Sequence, residues 1–587
     1  MHMNYALSKQ PEKRGGNWLA IKKILPLMKR ERKNIFFAFL AVMVNSGLLL
    51  VAPSVIGYVV EKYVRAKIYD GILFFTGVLL IIYICATVTN YLQIRLIGAV
   101  GRRTLFRIRN EVFTKVQELP MAFFNQNQAG DLISRINNDS EKLNQFFSQA
   151  LMQFVGNAFI VFGAAIFILA INARLALAAL VPAIFLLVLT RFLSALIKKT
   201  NIKSLRTTGE MSAEVQESLD NFKVIVAFNR QDYFNKKFAE INQKNYLASM
   251  LAGFANKSLS PLYDLMANFG QLIVLVYGIY LIMIGQLSVG FLISFILYIN
   301  VFYDPLRQMA SLWTTFQTAL AALDRIVAIL SLESNMSIIS ESHQDKNNNI
   351  LMEFSDVSFT YPEGKEVLRK INLRLEKGKT YALVGPTGGG KTTTASLMAR
   401  LYDPSVGKIY LDGKDIRTYS HEERTEKVGF ILQEPFLFRG NLGENLLYGN
   451  SKFSEYSENK LMKILKADGL DELLVTFENG LKTRVSSDKE SVSLGQKQLI
   501  AFMRAILRKP QLLILDEATA NIDTVTEKLL EKALEKLPKE TTRVIIAHRL
   551  NTIENADEIF FINAGEVITA GSMDHAVKML IKGVRTS

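Results

Sequence analysis

Apolar residues run almost unbroken through six stretches of the first half of the chain, residues 35–60, 71–92, 151–171, 175–197, 262–284 and 289–309. Each has roughly the 20 residues that a helix needs to cross the hydrocarbon of a bilayer. The intervals between them alternate in kind: 61–70, 172–174 and 285–288 are short, whereas 93–150 and 198–261 are long. The pattern therefore predicts six spanning helices, some of which continue out of the membrane on one side. Ahead of the first run, Trp18, Leu19, Ile21, Ile24, Leu25 and Met28 alternate with lysines at near-helical spacing, as in a helix lying flat in the interface. After the sixth run a helical rhythm carries to about residue 332, and then residues 333–349 turn polar, ending in Asn347, Asn348 and Asn349. From residue 350 the text becomes short β-rich runs between turn signals, LMEFSDVSF, TYALVGP, KIYLDG, LLILDEA, TRVIIAH and IFFINAG, with helical segments between several of them. That alternation predicts an α/β domain. The expected division is an interfacial segment (1–34), a six-helix all-α transmembrane domain with long cytoplasmic helical extensions (35–332), a linker (333–349) and the α/β domain (350–587).

Composition agrees and narrows the partners. The chain has 587 residues, 49% of them hydrophobic, with a mean hydropathy of +0.18, too apolar for a purely soluble protein. An excess of 69 Lys+Arg over 54 Asp+Glu gives a net charge of +15, which fits either nucleic acid or a membrane. Position decides: Lys22, Lys23, Lys29, Arg30, Arg32 and Lys33 precede the first run, and Arg95, Arg102, Arg103, Arg107 and Arg109 follow the second. The positive-inside rule puts both regions in the cytoplasm, and six crossings then put both termini there. A lipid bilayer, and no nucleic acid, is the expected partner of the charge. The single cysteine, Cys85, lies inside an apolar run, which excludes an internal disulfide framework and a cysteine-built zinc site and reads as a small buried apolar residue. The N-terminal stretch is charged and broken by Pro11 and Pro26, so no cleavable signal peptide is expected and the first run should remain as an anchor.

The chemistry is concentrated in the second half. GPTGGGKTT, residues 385–393, fits G-x-x-x-x-G-K-[ST] between a strand-like and a helical segment. Gly385, Gly388, Gly389 and Gly390 let backbone N–H groups converge on phosphates, Lys391 brings a point charge to the β and γ phosphates, Thr392 offers a hydroxyl to magnesium, and Thr393 completes the motif. LLILDEA, residues 512–518, is an apolar strand ending in two acids: Asp516 is placed to hold Mg2+ through water and Glu517 to polarise the attacking water. Together they predict an α/β phosphate-loop nucleotide hydrolase.

Residues 491–498, SVSLGQKQ, resemble the signature of ATP-binding-cassette (ABC) proteins, whose core is usually Leu-Ser-Gly-Gly-Gln; Ser493, Gly495 and Gln496 carry the match. Other elements of that family stand in order: Tyr361 in FTYPEG resembles the aromatic that stacks on adenine, Gln433 in ILQEP the Q-loop residue, Asp523 in ANID the D-loop and His548 in IIAHR the switch histidine. The membrane half is similar to the exporter branch in FFNQNQAGDLISRINND (123–139), ESLDNFKVIVAFNRQDYF (217–234) and the segment from 285 to 326, so the resemblance covers nearly the whole chain. It implies a helical subdomain in the ATPase, ATP and Mg2+ as cofactors, Gln433 at the metal and the attacking water, and short coupling helices near 121–127 and 219–228. It also implies a second ABC half-transporter as partner, two cassettes sandwiching two ATP molecules with Ser493 and Gly495 facing the ATP on the other chain's phosphate loop. The function implied is ATP-driven export of a drug, lipid or peptide, hydrophobic or amphiphilic, by alternating access across a bacterial inner or cell membrane. An ATP-gated channel or regulator, an importer and a nucleic-acid-associated cassette ATPase fit less well.

Two features qualify that expectation. The family usually reads Thr-x-Val-Gly-Glu-x-Gly-x-x-Leu-Ser before the signature, whereas this chain has Thr483, Val485, Ser486, Ser487, Lys489 and Val492, and Leu494 replaces a glycine. The chain thus resembles the half of a heterodimeric exporter that keeps the catalytic glutamate while its own signature faces a degenerate site; a homodimer stays open. Asp264 and Asp304 are ionisable groups inside spans. They either face a substrate cavity or have structural places, Asp304 paired with Arg307 one turn away and Asp264 in the headgroup layer.

Overall fold

The computed structural model describes residues 5–7, 29–340, 349–362, 364, 366–450, 457–485, 492–516, 524–546, 556–570 and 575. The interfacial segment expected around Trp18 lies outside the described residues. The chain forms two compact units, one made of Pro11–Gln117 and Gly130–Ser331, the other of Met1–Gln10, Glu118–Ala129 and Leu332–Ser587.

The first unit is helical. Arg32–Val59, Tyr69–Gln117, Leu151–Ile171, Ala173–Asp220, Leu259–Met283 and Val289–Leu330 contain the six apolar runs, and six helices among the described residues are long and apolar enough to cross a membrane. Lipid offers no partner to a bare N–H or C=O, so a backbone that crosses it must satisfy itself in helices. The 49-residue helix Tyr69–Gln117 far exceeds the ~20 residues that a crossing requires, as the long polar intervals predict. Beyond the apolar windows, buried carboxylates tie the helical extensions together. Glu31 takes Arg103 and Arg107 at 3.2 and 3.0 Å, Asp139 takes Lys142 at 3.1 Å and also Arg325, and Glu214 takes Lys237 at 2.8 Å. Cys85 departs from expectation: it is exposed on the unit's surface. A helix in lipid has no need to bury a small apolar residue, since its solvent is apolar already.

Small residues let the first and sixth spans approach. A Cβ on Gly57 would lie 1.8 Å from Ser294 Oγ, and one on Gly290 would lie 2.3 Å from Gly57 O. At this seam Ser294 donates to Pro53 O at 2.8 Å, Tyr298 OH donates to Leu50 O at 2.6 Å, and Glu61 accepts from the Gly290 N–H at 3.1 Å.

The second unit holds two principal sheets. The larger has the order Glu566–Thr569, Glu558–Asn563, Thr380–Val384, Thr542–Ile546, Leu512–Asp516, Val428–Ile431. Its strands are parallel except for the antiparallel edge Glu566–Thr569. The smaller sheet is antiparallel and centres on Ile350–Thr360 paired with Glu366–Glu376 and Val406–Leu411. One apolar core lies between the sheets around Phe354, Leu383 and Ile514. A second, around Leu465, Leu499 and Phe502, gathers the helices that follow Val428–Ile431; these form the helical subdomain.

The Gly57–Gly290 seam generates a stability test. Gly57→Ala and Gly290→Ala should each destabilise the detergent-solubilised protein by about 1–3 kcal/mol through overpacking, measured by thermal or denaturant unfolding. Gly47→Ala, whose Cβ would meet nothing within 4 Å, should leave stability unchanged.

Candidate functional site

Five parallel strands end on one edge of the larger sheet, the edge where open α/β folds bind ligands. Thr380–Val384 runs into the glycine loop, which ends at the helix Lys391–Met398. Gly385 has φ +146 and Gly390, the residue before the helix, φ +114; a Cβ on Gly385 would lie 2.0 Å from Ile562 O. Only glycine fits these two corners. A Cβ on Gly388 would meet nothing within 4 Å, so the crest of the loop is open to a ligand, and Gly389 donates its N–H to Pro386 O at 3.1 Å. Lys391 is buried, with Nζ donating to Gly385 O at 2.9 Å and Pro386 O at 3.0 Å. A buried ammonium at a helix N-terminus, beside a loop whose crest is open at Gly388, makes an anion site. Thr392 is exposed beside it, while Thr393 is buried.

Leu512–Asp516 brings the buried Asp516 to the same edge. Val428–Ile431 pairs with it in parallel, Ile431 opposite Leu515, and the exposed Gln433 follows two residues later. Asp516, Gln433 and the glycine loop are thus brought to one edge by strand register. Glu517, Asp523 and His548 lie outside the described residues.

Tyr361 stands at the end of Ile350–Thr360. Its hydroxyl shares a 3.1 Å hydrogen bond with Thr393 Oγ1, and its ring packs edge-on against Phe359 and Tyr402, with centroids 4.9 and 5.4 Å away. Sequence reasoning missed Tyr402. Its hydroxyl accepts from Asn125 Nδ2 at 2.5 Å, from the helix Met121–Gln126 of the first expected coupling segment. Burial and the neighbouring Tyr361 push the Tyr402 phenol above its ordinary value, against the opposing pull of Asn125, so it stays neutral at physiological pH. The second coupling segment contains the helix Phe222–Ala227, whose Phe222, Val224 and Val226 are exposed while Ile225 is buried.

Ser493 caps the helix Leu494–Ile506. Its hydroxyl accepts from Gln496 N at 3.2 Å, and the Gln496 carboxamide accepts in return from Ser493 N at 2.9 Å while donating to Thr476 O at 2.7 Å. Gly495 is buried, whereas Ser493 and Leu494 are exposed. The signature therefore presents a capped helix N-terminus to solvent, some distance in sequence from its own chain's glycine loop.

The helical unit contains a cavity of about 680 Å³ between the first, second, third and sixth spans. Val42, Leu49, Ile160 and Leu297 make its apolar wall, and the side-chain amides Asn45, Asn90, Gln93, Gln153, Asn157, Asn300 and Gln308 line it together with Asp304. Gln308 Oε1 accepts from Gln153 at 3.3 Å and from Asn157 at 3.2 Å. Amides within otherwise apolar runs were a readable signal, because polar groups in spans collect around cavities and partners. Arg307 bridges both intramembrane acids, Asp264 at 3.3 Å and Asp304 at 3.4 Å.

A phosphate-loop fold in one unit and six spanning helices around a cavity in the other define the class, an ATP-hydrolysing membrane transporter. Residues 35–306 match the ABC transporter transmembrane region family, and residues 368–520 match the ABC transporter family. Over 507 residues the chain is 33% identical to the "Fatty acid ABC transporter ATP-binding/permease protein" of Mycobacterium bovis, covering 86% of this chain and 79% of that one. It is 32% identical over 501 residues to the "Probable multidrug resistance ABC transporter ATP-binding/permease protein YheH" of Bacillus subtilis, covering 84% and 73%. It is 32% identical over 560 residues to the "Uncharacterized ABC transporter ATP-binding protein YfiC" of the same organism, covering 93% and 90%. The chain belongs to the ABC transporter family, as a multi-pass half-transporter of the exporter type with its membrane and ATPase regions fused.

The capping geometry separates two roles of Ser493. Ser493→Ala should cost the cassette about 0.5–2 kcal/mol through the lost cap, read from the unfolding transition, and Ser493→Thr should restore most of it.

Proposed function

We propose that this chain works with a second half-transporter to export an amphiphile at the expense of ATP. The observation that carries the reading is the glycine loop with Lys391 held inside it, in one chain with the amide-lined membrane cavity. The N–H groups of Gly388 and Gly390 and the Lys391 ammonium hold the β and γ phosphates, and the ring of Tyr361 stacks on adenine. Among the described residues no group of three or more His, Cys, Asp or Glu side chains could hold a metal. Mg2+ fits here in its usual phosphate-assisted form, with Thr392, Gln433 and Asp516 supplying oxygen ligands directly or through water. Bound there, the ion would neutralise the charge that develops on the transferred phosphoryl group. Glu517 orients the attacking water, His548 contacts the γ-phosphate, and Asp523 lies along the cassette interface.

A partner completes the site. Ser493, Gly495 and Gln496 present a helix N-terminus to the ATP on the other chain's loop, and Leu494 narrows that approach in a way that favours a different chain as partner. The exposed apolar side of Phe222–Ala227 also calls for a covering surface. ATP-driven closure of the cassettes draws the helical extensions together and turns the cavity outward; hydrolysis resets it. Both termini lie in the cytoplasm, under a bacterial cell membrane.

The cavity favours substrates with an apolar body and a polar group that hydrogen-bonds, such as lipids or uncharged drug-like amphiphiles. Two relatives carry names that refer to fatty acids and to probable multidrug resistance. Selective attraction of cations is weakened because Arg307 neutralises much of the field of Asp264 and Asp304.

Glu517→Gln should leave ATP binding intact and lower the turnover of the assembled complex at least ~100-fold; wild-type turnover would remove the assigned role. Arg307→Gln should shift ATPase stimulation toward cationic amphiphiles by about tenfold relative to neutral ones, whereas an unchanged ratio would detach both acids from substrate choice. Tagged chain expressed alone should purify as an inactive or weakly active species, and a stable, fully active homodimer would overturn the heterodimer.

A further inference from the structure

The residues Tyr5–Leu7 are buried although they precede every membrane element, and their partners are specific. Tyr5 N donates to Gln126 Oε1 at 2.9 Å and Leu7 N to Asn127 Oδ1 at 3.0 Å, while Asn127 Nδ2 donates to Tyr5 O at 3.0 Å and to Phe123 O at 2.8 Å. The Asn127 carboxamide thus pairs with Tyr5 O and Leu7 N as a neighbouring strand would. The Tyr5 ring stands edge-on to the buried Phe123, centroids 6.5 Å apart. Its hydroxyl accepts from Asn335 N at 2.9 Å and has Glu333 O and Asn335 Oδ1 within 3.0 Å for its single proton. That linker is itself held: Arg400, fully enclosed just before Tyr402, donates to Ser337 O at 3.0 Å.

These bonds close a ring within one compact unit. It runs from Tyr5 to the helix Met121–Gln126, through Asn125 to Tyr402 and Tyr361, back through Arg400 to the linker, and to Tyr5 again. A six-residue helix is far too short to persist alone, and this one has no side-chain cap at Pro120. Something must hold it, and the buried clip does so at Phe123, Gln126 and Asn127 while Tyr402 holds it at Asn125.

We propose that Tyr5 is a positioning residue of the transport cycle: the clip Tyr5–Leu7 fixes Met121–Gln126 so that nucleotide at Tyr361 is reported through Tyr402 and Asn125 to the long helix Tyr69–Gln117. The proposal rests on the reading of Tyr361 as the adenine-stacking residue. Tyr5 bonds to Gln126, Glu333 and Asn335 and to no residue of the glycine loop, so its loss separates ATP binding from the membrane response. Removing the hydroxyl alone frees the clip from the linker and keeps the ring on Phe123. Tyr5→Phe therefore folds, and Tyr5→Ala loosens the helix fully.

The test uses the full chain assembled with the half-transporter that co-purifies with it. Cys85→Ser removes the only cysteine, and a nitroxide pair introduced on the first and sixth spans reports the ATP-driven distance change, alongside binding of a fluorescent ATP analogue to the same samples. Tyr5→Phe is expected to keep analogue affinity within about twofold while raising the ATP concentration for half-maximal distance change about threefold, and Tyr5→Ala about tenfold. Asn125→Ala should give no further loss in the Tyr5→Ala background. If affinity and distance change move together, or neither moves, Tyr5 is only a structural contact and the proposal is wrong. A wild-type complex that binds ATP without any distance change would instead sink the transport reading itself.

Discussion

A peptide group in hydrocarbon has no water to bond, and that constraint orders the rest of this molecule. It makes helix the only option for the six runs, and it makes each run continuous. Because lipid is as apolar as leucine, burial no longer drives the helices together, and association falls to close approach and to polar groups that need one another. The Gly57–Gly290 seam with Ser294 and Tyr298, and the amides facing one another across Gln308, are those two devices in this chain. The same amides that join spans where they meet line the cavity where they do not.

Outside the apolar windows the physics changes from hydrogen-bond supply to desolvation. Glu31, Asp139 and Glu214 are all nearly inaccessible, and each is met by Lys or Arg from another part of the fold or the adjoining turn. Losing one partner of such a pair costs more than the pair contributes, because a buried charge remains behind. The extensions of the long helices are therefore held in register with one another.

Legibility in the sequence followed the range of each interaction. The six spans and the glycine loop were readable because their constraints are local: run length for lipid, and glycine corners for phosphate. Strands whose two faces are buried, such as Leu512–Asp516, were also plain. Glu366–Glu376 was not recognised, since its alternation of Ile371, Leu373 and Leu375 with polar residues is broken by Lys370 at φ +43 and its pairing partner is needed to define it. Tyr402 and Tyr5 were invisible for a stronger reason. Their meaning lies in partners 277 and 328 residues away, and nothing in a tyrosine's neighbours announces a bond of that span. The burial expected for Cys85 failed because a rule for aqueous proteins was applied inside lipid.

The proposal of a second chain rests on what the cassette leaves open. A helix N-terminus capped by its own serine has satisfied its nearest donors, yet Ser493 remains exposed, where an added anion can still approach. The glycine loop, at the end of Thr380–Val384, is closed on its sheet side by Ile562 and open at Gly388. Each chain thus offers one phosphate cradle and one positive helix end. In the proposed two-chain assembly a charge on one chain would be met by a dipole on the other, so ATP turnover would wait on the same closure that moves the membrane helices.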